Sequence, residues 1–576
     1  MNNAKIADAF DEIADILEFQ GANPFRVRAY RNGARTIRDF REPLSGLVDD
    51  PNRSLTDISG IGHDLAEKIT MLIKTGALPQ LRELQAQVPA SVLTLLRVPG
   101  LGPKKAAVLH KELAIATLDE LREACLAHRV QDLKGFGAKT ETAILEGLAT
   151  AATVGERMYW AVADVIVQSL AQHLRQCRAI QQLEVAGSYR RGKETVGDLD
   201  ILVVADGVDE VMDHLAAYED VADVLARGET KMSVRLSGGL QVDLRVVPAE
   251  SFGAALQYFT GSKDHNVVVR GLAKSRGLKI NEYGVFRGEN YIAGRTEQDV
   301  YGALDLPCFP PEMREARQEF DWAKQGELPR LVELGDIRGD LHAHTTETDG
   351  KATLEEMCHA ANELGLAYLA ITDHSKRVTM ARGLDASRLR KQWAEIDRLN
   401  GRLHGFRVLK GVEVDILERG GLDLDDDVLS EADWVVASVH YGQNQPREQI
   451  TRRIIDAIKN PNVSAIAHPT GRLISKRKAY EVDLDAVIKA ARDFGKLLEL
   501  NANPARLDLD DVACAAAKQH GVPVVISTDA HSTDGLATMR YGILQARRGG
   551  LTKEDVANTR TWAQLKKLIG KTHAAH

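Results

Sequence analysis

The apolar positions near the start of the chain recur at the spacing of a helix. Ile6, Phe10, Ile13 and Leu17 lie three or four residues apart, with acidic residues between them. Side chains at this spacing share one face of an α-helix. We therefore predict an amphipathic helix over residues 1–20, with its apolar face turned towards a core.

From about residue 155 the pattern changes to short runs in which Val, Ile and Leu alternate with polar residues. Such alternation is typical of strands that bury one face. After residue 336, apolar runs of strand length alternate with helical patterns, which favours a parallel barrel or a doubly wound sheet. The strands predicted in this last region are 367–372, 407–413, 434–439, 463–467, 497–500 and 524–527.

A Gly-x-Gly motif occurs three times in the first 150 residues, each time before a predicted helix. Glycine permits a tight turn, and the free N–H groups and dipole of the helix that follows can bind one phosphate. The motif resembles the helix-hairpin-helix motif of DNA repair proteins, although the third copy is the least typical and a purely structural turn is its alternative. The candidate DNA-binding glycines are Gly60, Gly62, Gly100, Gly102, Gly135 and Gly137.

Composition and charge narrow the class of protein. The chain has 44% hydrophobic and 27% charged residues, as globular proteins do, and its net charge of −8 provides no overall basic field for nucleic acid. No apolar run reaches the ~18 residues that span a bilayer, and the N-terminus lacks the pattern of a signal peptide. Five scattered cysteines without a C-x-x-C pair fit a reducing compartment. We expect a monomer in the cytoplasm that binds no membrane.

The segment 187–200 combines a Gly-Ser turn, basic side chains and two carboxylates. Asp198 and Asp200 are spaced i, i+2, so they share one face of a strand. The alternating run 240–247 can place Asp243 beside them. Three crowded carboxylates next to a Gly-Ser-x-x-Arg turn predict two hard cations and a nucleoside triphosphate. The alternative is a surface hairpin with solvated acids.

This segment resembles the nucleotidyltransferase palm of the family X DNA polymerases, and the resemblance continues in the motif Tyr-Phe-Thr-Gly-Ser at 258–262. It implies that Asp198, Asp200 and Asp243 are catalytic and hold two Mg²⁺ or Mn²⁺ ions. It also implies that the substrates are a deoxynucleoside triphosphate and gapped or primed DNA. The nucleotide-binding residues that it implies are Gly187, Ser188, Arg191, Gly197, Tyr258, Phe259, Gly261, Lys263, Asn266 and Arg270.

Within that set the resemblance implies several tasks. Gly187, Ser188, Arg191 and Gly197 would hold phosphates. Tyr258 and Phe259 would lie against the sugar and select deoxyribose. Asn266 and Arg270 would reach the minor-groove side of the new base pair. Lys263 would add a cation beside the nucleotide, although a solvated lysine explains it equally well.

Histidine and acidic residues follow most of the strands predicted after residue 336, and eleven of the seventeen histidines lie there. The C-terminal strand ends of a barrel converge on one mouth, so these side chains would meet in one cleft. Such a set can hold two or three divalent ions, and imidazoles favour transition metals. A single such histidine is more often an ordinary core residue, but this set has nine members: His342, His344, Asp349, His374, Glu413, His440, His468, Asp529 and His531.

The nine residues resemble the ligand set of the PHP domain, a metal-dependent barrel of phosphoesterases. The resemblance implies that all nine bind two or three Mn²⁺ or Zn²⁺ ions and that the barrel is a 3′→5′ exonuclease. A palm followed by a PHP domain resembles the bacterial family X polymerases over essentially the whole chain. Two alternatives remain: a barrel that acts on small molecules, and a DNA-binding scaffold whose palm is not catalytic.

Together the patterns and these resemblances imply a multidomain chain with all-α helix-hairpin-helix domains, an α+β palm with a small α+β thumb, and a distorted seven-stranded α/β PHP barrel. The predicted boundaries are 1–80 and 81–150 for two helical DNA-binding domains, 151–249 for the palm, 250–318 for the thumb, 319–336 for a linker and 337–576 for the barrel.

A third activity depends on Lys68. The first helical domain resembles a small N-terminal domain that, in some relatives, uses a lysine Schiff base to remove 5′-deoxyribose phosphate, and Lys68 occupies the matching position. Asp64, one turn earlier, would raise the pKa of Lys68 and oppose its attack as a free amine. An ordinary i, i+4 ion pair explains both residues without any lyase chemistry.

Overall fold

The chain folds into two compact units, Met1–Arg157 and Met158–His576. The computed structural model describes residues 3–40, 44–48, 53–58, 60–88, 92, 95, 98, 101, 103–133, 135–137, 139–145, 148, 157–326 and 328–570. Gly100 and Gly102, the second predicted phosphate-binding pair, lie outside these residues.

The first unit is helical throughout its described elements. The amphipathic pattern of the first twenty residues is confirmed as α1, which packs against α2 through an edge-to-face contact between Phe10 and Tyr30 with ring centroids 5.7 Å apart. Asn23 caps α2 by accepting a hydrogen bond from the Phe25 backbone N–H. The helices are α1 (Asn3–Phe19), α2 (Pro24–Asp39), α3 (Leu44–Val48), α4 (His63–Thr75), α5 (Pro79–Gln87), α6 (Pro103–Leu113) and α7 (Leu118–Leu126).

An equivalent backbone hydrogen bond occurs within each of the three Gly-x-Gly segments. The residue between the two glycines donates to the carbonyl three residues earlier, with N···O distances of 3.0 Å from Ile61 to Ile58, from Leu101 to Val98 and from Phe136 to Leu133. The first glycine takes a positive φ in the first and third copies, +92° at Gly60 and +89° at Gly135. This left-handed conformation is the reason for glycine there. Gly62 is the N-cap of α4, and residues 139–145 are helical after Gly137.

The second unit begins with the palm, a five-stranded mixed sheet in the order β2-β4-β7-β6-β5. Strands β4 and β7 are parallel, and the other neighbouring pairs are antiparallel. Its elements are β1 (Met158–Tyr159), α8 (Trp160–Leu174), β2 (Ile180–Val185), α9 (Gly187–Arg190), β3 (Thr195–Val196), β4 (Asp198–Ala205), α10 (Val208–Ala216), β5 (Val221–Arg227), β6 (Lys231–Leu236) and β7 (Gln241–Val246).

The thumb follows as helices against a three-stranded antiparallel sheet in the order β10-β9-β8. Its elements are α11 (Phe252–Thr260), α12 (Lys263–Ser275), β8 (Lys279–Asn281), β9 (Gly284–Arg287), β10 (Asn290–Ala293) and α13 (Glu297–Gly302). The segment predicted as a linker, 319–336, begins with a further helix, α14 (Glu319–Gln325). Its first residue, Glu319, is buried and lies 2.9 Å from Nδ1 of His265 inside the thumb. This buried polar contact explains why the segment is ordered against the thumb.

The barrel contains seven parallel strands in sequence order, and the isolated parallel bridge between Ala343 and Ala530 nearly closes it. The fold class predicted from the sequence is confirmed in each of its parts. The elements are β11 (Gly339–Asp340), α15 (Leu354–Glu363), β12 (Tyr368–Ile371), α16 (Ala386–Asn400), β13 (Arg407–Asp415), α17 (Asp426–Leu429), β14 (Trp434–Ser438), α18 (Arg447–Lys459), β15 (Ala465–Ile466), α19 (Leu484–Asp493), β16 (Leu497–Asn501), α20 (Asp511–Gln519), β17 (Val524–Ser527), α21 (Met539–Arg548) and α22 (Trp562–Gly570).

The barrel strands are buried on both faces, as continuous apolar runs in a parallel sheet should be. A cluster of aliphatic side chains lies between the strands and the surrounding helices, and it includes Leu369, Val412 and Ile526. Within the described part of the chain, every helix is too short or too polar to cross a bilayer.

The close approach of α11 to the thumb backbone gives a stability prediction. A Cβ at Gly253 would lie 2.1 Å from the backbone carbon of Thr296, so Gly253→Ala must displace α11. We expect a loss of about 1–3 kcal/mol or more, as for other overpacked sites. Gly271, inside α12, has nothing within 4 Å of such a Cβ, and Gly271→Ala should stabilise by about 0.5–1 kcal/mol. Thermal unfolding midpoints of both variants test this; equal midpoints would contradict it.

Candidate active sites

The palm carboxylates lie on two neighbouring parallel strands. Asp200 of β4 is in register with Asp243 of β7, and Asp198 is two residues before Asp200 on the same face. Burial raises the pKa of Asp200 to about 6, and repulsion from Asp198 and Asp243 adds to the shift. The predicted crowding of like charges is therefore present at Asp200.

Two neighbours of Asp243 were not found from the sequence. Nζ of Lys231 lies 3.0 Å from Oδ2 of Asp243, and the Gln241 side chain donates to Oδ1 at 3.1 Å. Burial alone would raise the pKa of Asp243, but hydrogen bonds from Ser233, Lys231 and Gln241 lower it. The register of antiparallel β6 against β7 places Lys231 here, and no sequence motif reveals that register.

Among the described residues, the three palm aspartates are not a group whose ligand atoms all lie within 4.8 Å of one another. The barrel residues described below do form such groups. Asp198 is exposed, whereas Asp200 and Asp243 are partly buried. Mutual repulsion of the carboxylates opposes closer approach.

The predicted phosphate-binding turn is the short helix α9 and the residues after it. Gly187 has a φ of +66°, and a Cβ there would lie 2.7 Å from Oδ2 of Asp200. Glycine is therefore required where the turn approaches a candidate catalytic carboxylate. Oγ of Ser188 is buried without a hydrogen-bond partner, as expected of a hydroxyl that binds a ligand. Gly197 is exposed, directly before β4.

Arg191 lies at the end of this turn and contacts the thumb. Its Nη1 donates to the Thr260 carbonyl at 2.5 Å, and its Nε donates to Oε1 of Glu315 at 3.0 Å. A Cβ at Gly261 would lie 3.4 Å from Nη1 of Arg191, so that glycine also leaves room for the guanidinium. The turn and the Tyr-Phe-Thr-Gly-Ser motif are thus brought together.

The remaining nucleotide-site candidates lie on α11 and α12. Tyr258 and Phe259 pack edge-to-face with ring centroids 5.1 Å apart, and the Arg270 guanidinium lies 5.1 Å from the Tyr258 ring centroid. The Asn266 amide is already occupied, since it donates to the Tyr258 carbonyl at 2.8 Å and accepts from Gln257 at 2.7 Å. Lys263 is exposed at the first position of α12.

The structure brings the nine barrel candidates together at the C-terminal ends of the strands. Eight of them are members of three groups in which the ligand atoms lie within 4.8 Å of one another. The groups are His344 with Asp349, His374 and His531; His342 with His344 and Asp529; and His374 with Glu413 and His440. The ninth, His468, approaches Oε1 of Glu413 to 3.1 Å through its Nε2.

Glu413 is the centre of the cluster. Its Oε2 lies 2.7 Å from Nδ1 of His374 and 3.5 Å from Nε2 of His342, and its Oε1 lies 3.5 Å from Nε2 of His440. Burial would raise the pKa of Glu413, but His374, His440 and His342 hold it well below its usual range. The carboxylate is therefore ionised in spite of complete burial.

The imidazoles respond in opposite directions. Burial alone would lower the pKa of His342, but Glu499, Asp529 and Glu413 raise it well above its usual value. The same balance, dominated by Glu413 and Asp349, raises the pKa of His374 to about 10. Burial and the neighbouring His374 instead lower the pKa of His344 to about 4. Such divergent shifts within one cleft are typical of functional sites.

Unpartnered buried atoms fit the cluster to metal ions. Both ring nitrogens of His344 and Nε2 of His342 are buried without a hydrogen bond, and Nδ1 of His374 and Oε2 of Glu413 lie 2.7 Å apart without the geometry of one. Buried polar atoms are normally satisfied, and groups like these need an explanation such as a bound ion. Imidazole and carboxylate donors suit divalent transition metals. The residues present therefore fit the divalent metal ions that the sequence implies.

Several outer residues of the cluster were missed by the sequence analysis. Oε1 of Glu499 lies 2.7 Å from Nδ1 of His342, and Oδ1 of Asp415 lies 3.0 Å from Nδ1 of His440. Nε of Arg506 lies 3.6 Å from Oδ2 of Asp529. Carboxylates behind a ligating histidine fix its tautomer and orientation. Asp415 is the last residue of β13, a position that the strand-end rule could have indicated, whereas Glu499 lies in the middle of β16.

Lys68 forms the ion pair that its spacing suggested. Its ammonium contacts the Asp64 carboxylate one turn earlier on α4, and it lies 5.8 Å from the centroid of the Tyr30 ring. The ion pair is the contact that the structural alternative requires. Lyase chemistry at Lys68 stays a prediction.

The position of Glu499 predicts its contribution to metal affinity. Glu499→Gln keeps the shape but removes the charge behind His342, and we expect metal affinity of the barrel to fall by about 10–100-fold. Titration of metal-free protein with Mn²⁺ and Zn²⁺, read by calorimetry, measures it. Glu363→Gln, at the exposed end of α15, is the matched control. Equal affinities of the two variants would contradict the role given to Glu499.

Five family models match consecutive parts of the chain. The matches, by their descriptions, are a helix-hairpin-helix domain at residues 1–78, a SAM-like helix-hairpin-helix tandem at 92–150, the DNA polymerase beta palm at 161–239, the DNA polymerase beta thumb at 255–315 and the PHP domain at 340–503.

Whole proteins give the same result. The chain is 43% identical over 576 residues to the DNA polymerase/3'-5' exonuclease PolX of Bacillus subtilis (strain 168), with 99% of each chain covered. It is 26% identical to DNA polymerase lambda of Rattus norvegicus, over 54% of this chain and 56% of that one. It is 30% identical to a "Probable phosphatase" of Thermoanaerobacter sp. (strain X514), over 38% of this chain and 89% of that one.

The order of matched regions agrees with the order of folded elements, from helical hairpins through palm and thumb to barrel. The full-length similarity adds that all of these parts occur together in one relative. The chain therefore belongs to the family X DNA polymerases that carry a C-terminal PHP domain.

Proposed function

We propose that this chain is a DNA-directed DNA polymerase that fills short gaps in DNA repair, and that its PHP barrel is a 3′→5′ exonuclease. The observation that carries the proposal is the presence of two separate sites, an acidic one in the palm and an imidazole-rich one in the barrel. The relative from Bacillus subtilis, whose name states both activities, supports it over the full chain.

In the palm, Asp198, Asp200 and Asp243 would hold two divalent ions. When bound, such ions favour deprotonation of the primer 3′-hydroxyl and neutralise the triphosphate. A cation bound here would lower the raised pKa of Asp200, since opposite charge favours the ionised carboxylate. Lys231, 3.0 Å from Asp243, would have to yield part of this contact to an ion.

The turn after β2 would bind the triphosphate. Ser188 would donate its buried hydroxyl, Gly187 and Gly197 would offer backbone N–H groups, and Arg191 would add a charged donor. The edges of Tyr258 and Phe259 would lie against the sugar and exclude a 2′-hydroxyl.

The residues of α12 and the loop before it would bind the rest of the nucleotide and the new base pair. Gly261 leaves space beside Arg191, and Lys263 is an exposed cation at the start of α12. Arg270 would reach the minor-groove side. Asn266 could do so only by exchanging its present contacts with Tyr258 and Gln257.

In the barrel, the nine candidate residues would hold two or three divalent ions, which supply a hydroxide near neutral pH and polarise the phosphodiester. Glu413 would contribute one carboxylate oxygen beside His374 and the other beside His440, because these imidazoles approach its two oxygens separately. Glu499 and Asp415 would orient His342 and His440.

Membership of the family implies dependence on divalent metal ions and the use of DNA and deoxynucleoside triphosphates. We further propose Mg²⁺ or Mn²⁺ in the palm, where all ligands are carboxylates, and Mn²⁺ or Zn²⁺ in the barrel, where imidazoles predominate. The substrate would be gapped or primed DNA. A monomer located in the cytoplasm, with no membrane partner, is part of the same proposal.

The Gly-x-Gly turns would contact the DNA backbone. Gly60 and Gly62 precede α4, and Gly135 and Gly137 precede the helix at 139–145, so that helix N-termini face outward for a phosphate. Because an equivalent backbone hydrogen bond occurs in each of the three turns, we propose one role for all of them. Gly100 and Gly102 would bind a phosphate in the same way.

A second candidate function concerns the barrel alone. The relative named as a phosphatase favours a barrel that hydrolyses small phosphate monoesters. Release of nucleotides from a single-stranded 3′ end, compared with hydrolysis of p-nitrophenyl phosphate, distinguishes the two. A DNA-binding scaffold without catalysis is disfavoured by the complete set of acids at Asp198, Asp200 and Asp243.

The palm assignment predicts the effect of removing two carboxylates. Asp198→Ala combined with Asp200→Ala should reduce nucleotide addition to gapped DNA by about 10³-fold or more, because ion binding contributes several kcal/mol to the transition state. Release of nucleotides by the barrel should remain. Asp223→Ala, in the exposed strand β5, is the matched control. Retained synthesis in the double variant would refute the assignment.

The barrel assignment predicts the converse. His342→Ala combined with His344→Ala should abolish nucleotide release from a 3′ end, since both imidazoles belong to the ligand groups. Gap filling should continue within about twofold, as expected of two sites that have no ligand residue in common. His359→Ala, exposed on α15, should change neither activity. If the folded double variant lost synthesis as well, two separable sites could not be maintained.

A further inference from the structure

The barrel contacts the phosphate-binding turn of the palm through one arginine. Arg548, the last residue of α21, is buried, with its side chain 2% exposed. Its Nη1 donates to the backbone carbonyl of Arg191 at 2.8 Å and to Oε1 of Glu315 at 3.0 Å. Its Nη2 donates to Oδ2 of Asp511 at 2.6 Å. One guanidinium therefore joins the barrel, the end of the thumb and the turn.

The same contacts restrain the Arg191 side chain. Oε1 of Glu315 accepts from Nε of Arg191 at 3.0 Å and from Arg548, so one carboxylate oxygen bridges the two arginines. Both the backbone and the guanidinium of Arg191 are thus held, directly or through Glu315, by Arg548. Leu544, one turn earlier on α21, packs at Gly192, where an added Cβ would lie 3.3 Å from its Cδ2.

Four basic side chains lie around these contacts. Glu315 pairs with Arg191, Lys193 and Arg548, and Asp511 pairs with Arg317 and Arg548. Burial, followed by repulsion from Arg548, lowers the pKa of Lys193.

From this geometry we propose that Arg548 is a positioning residue for nucleotide binding, which makes the exonuclease barrel a structural part of the polymerase site. It holds Arg191 and the turn in the orientation that the triphosphate requires. The inference rests on the proposed polymerase function and on the place given there to Arg191. It concerns binding of the nucleotide and no step of the chemistry.

Arg547 provides a matched control on the same helix. Its Nε donates to Oε1 of Glu312 at 2.8 Å and its Nη1 to the Val332 carbonyl at 3.2 Å, so it too ties the barrel to the chain around the thumb. Neither of these contacts reaches the turn at Arg191. Loss of Arg547 therefore weakens the same junction without releasing the phosphate-binding residues.

The test is single-turnover insertion of one nucleotide into gapped DNA by the full chain, with the triphosphate concentration varied. This gives the half-saturating concentration and the maximal rate separately. For Arg548→Met we expect the half-saturating concentration to rise about tenfold, with the maximal rate changed less. The reason is that the charged donor Arg191 is then no longer held in position for the triphosphate. For Arg547→Met we expect a change below about twofold.

Arg548→Lys keeps the charge but not the planar fork, so its half-saturating concentration should lie between those of wild type and Arg548→Met. If Arg548→Met does not fold, the Lys variant decides, and a wild-type value overturns the inference. Nucleotide release from a single-stranded 3′ end and the thermal midpoint are measured in parallel. A lower midpoint with an unchanged half-saturating concentration would mean that Arg548 is only structural, which overturns the inference.

The two proposals fail differently. If wild-type protein inserts nucleotides and Arg548→Met matches Arg547→Met in half-saturation, the positioning role is refuted while the polymerase function stands. If the wild type itself inserts no nucleotide into gapped DNA with any divalent ion, the proposed function fails, and the inference fails with it.

Discussion

The need to balance charge that has been removed from water governs both sites of this chain. In the barrel, a completely buried Glu413 is tolerated because imidazoles approach both of its oxygens. In the palm, partial burial of Asp200 beside two other aspartates makes ionisation costly, and its pKa rises. A buried charge costs several kcal/mol unless it is paired, so each site is stable only in the presence of its counter-charges. The same property makes each of them suitable for binding cations.

The strand periodicity decides which charges meet. Asp198 and Asp200 share a face because alternate residues of a strand do, and Asp243 joins them through the parallel register of β4 and β7. In the barrel, seven parallel strands deliver their C-terminal ends to one mouth, where His342, His374 and Asp529 converge. Regular backbone geometry thus assembles both clusters from residues that are far apart in the sequence.

Features that depend on local spacing could therefore be predicted from the sequence, and features that depend on packing could not. The i, i+2 carboxylates and the strand-end histidines were found because each is a short pattern on one element. Lys231 reaches Asp243 only through the register of two strands, and Glu499 reaches His342 across the barrel. The helix within the predicted linker could not be foreseen, because Glu319 is buried against His265, which lies far away in the sequence.

The junction between palm, thumb and barrel shows why packing of this kind matters. A carboxylate that bridges two guanidiniums fixes both within the range of a hydrogen bond. Glu315 does this for Arg191 and Arg548, and Arg472 of the barrel adds a second fixed point by pairing with Glu194 at 2.7 Å. Buried ion pairs contribute little net stability compared with apolar packing. Their occurrence on both sides of the phosphate-binding turn is therefore best explained by a requirement for one defined orientation of that turn relative to the barrel.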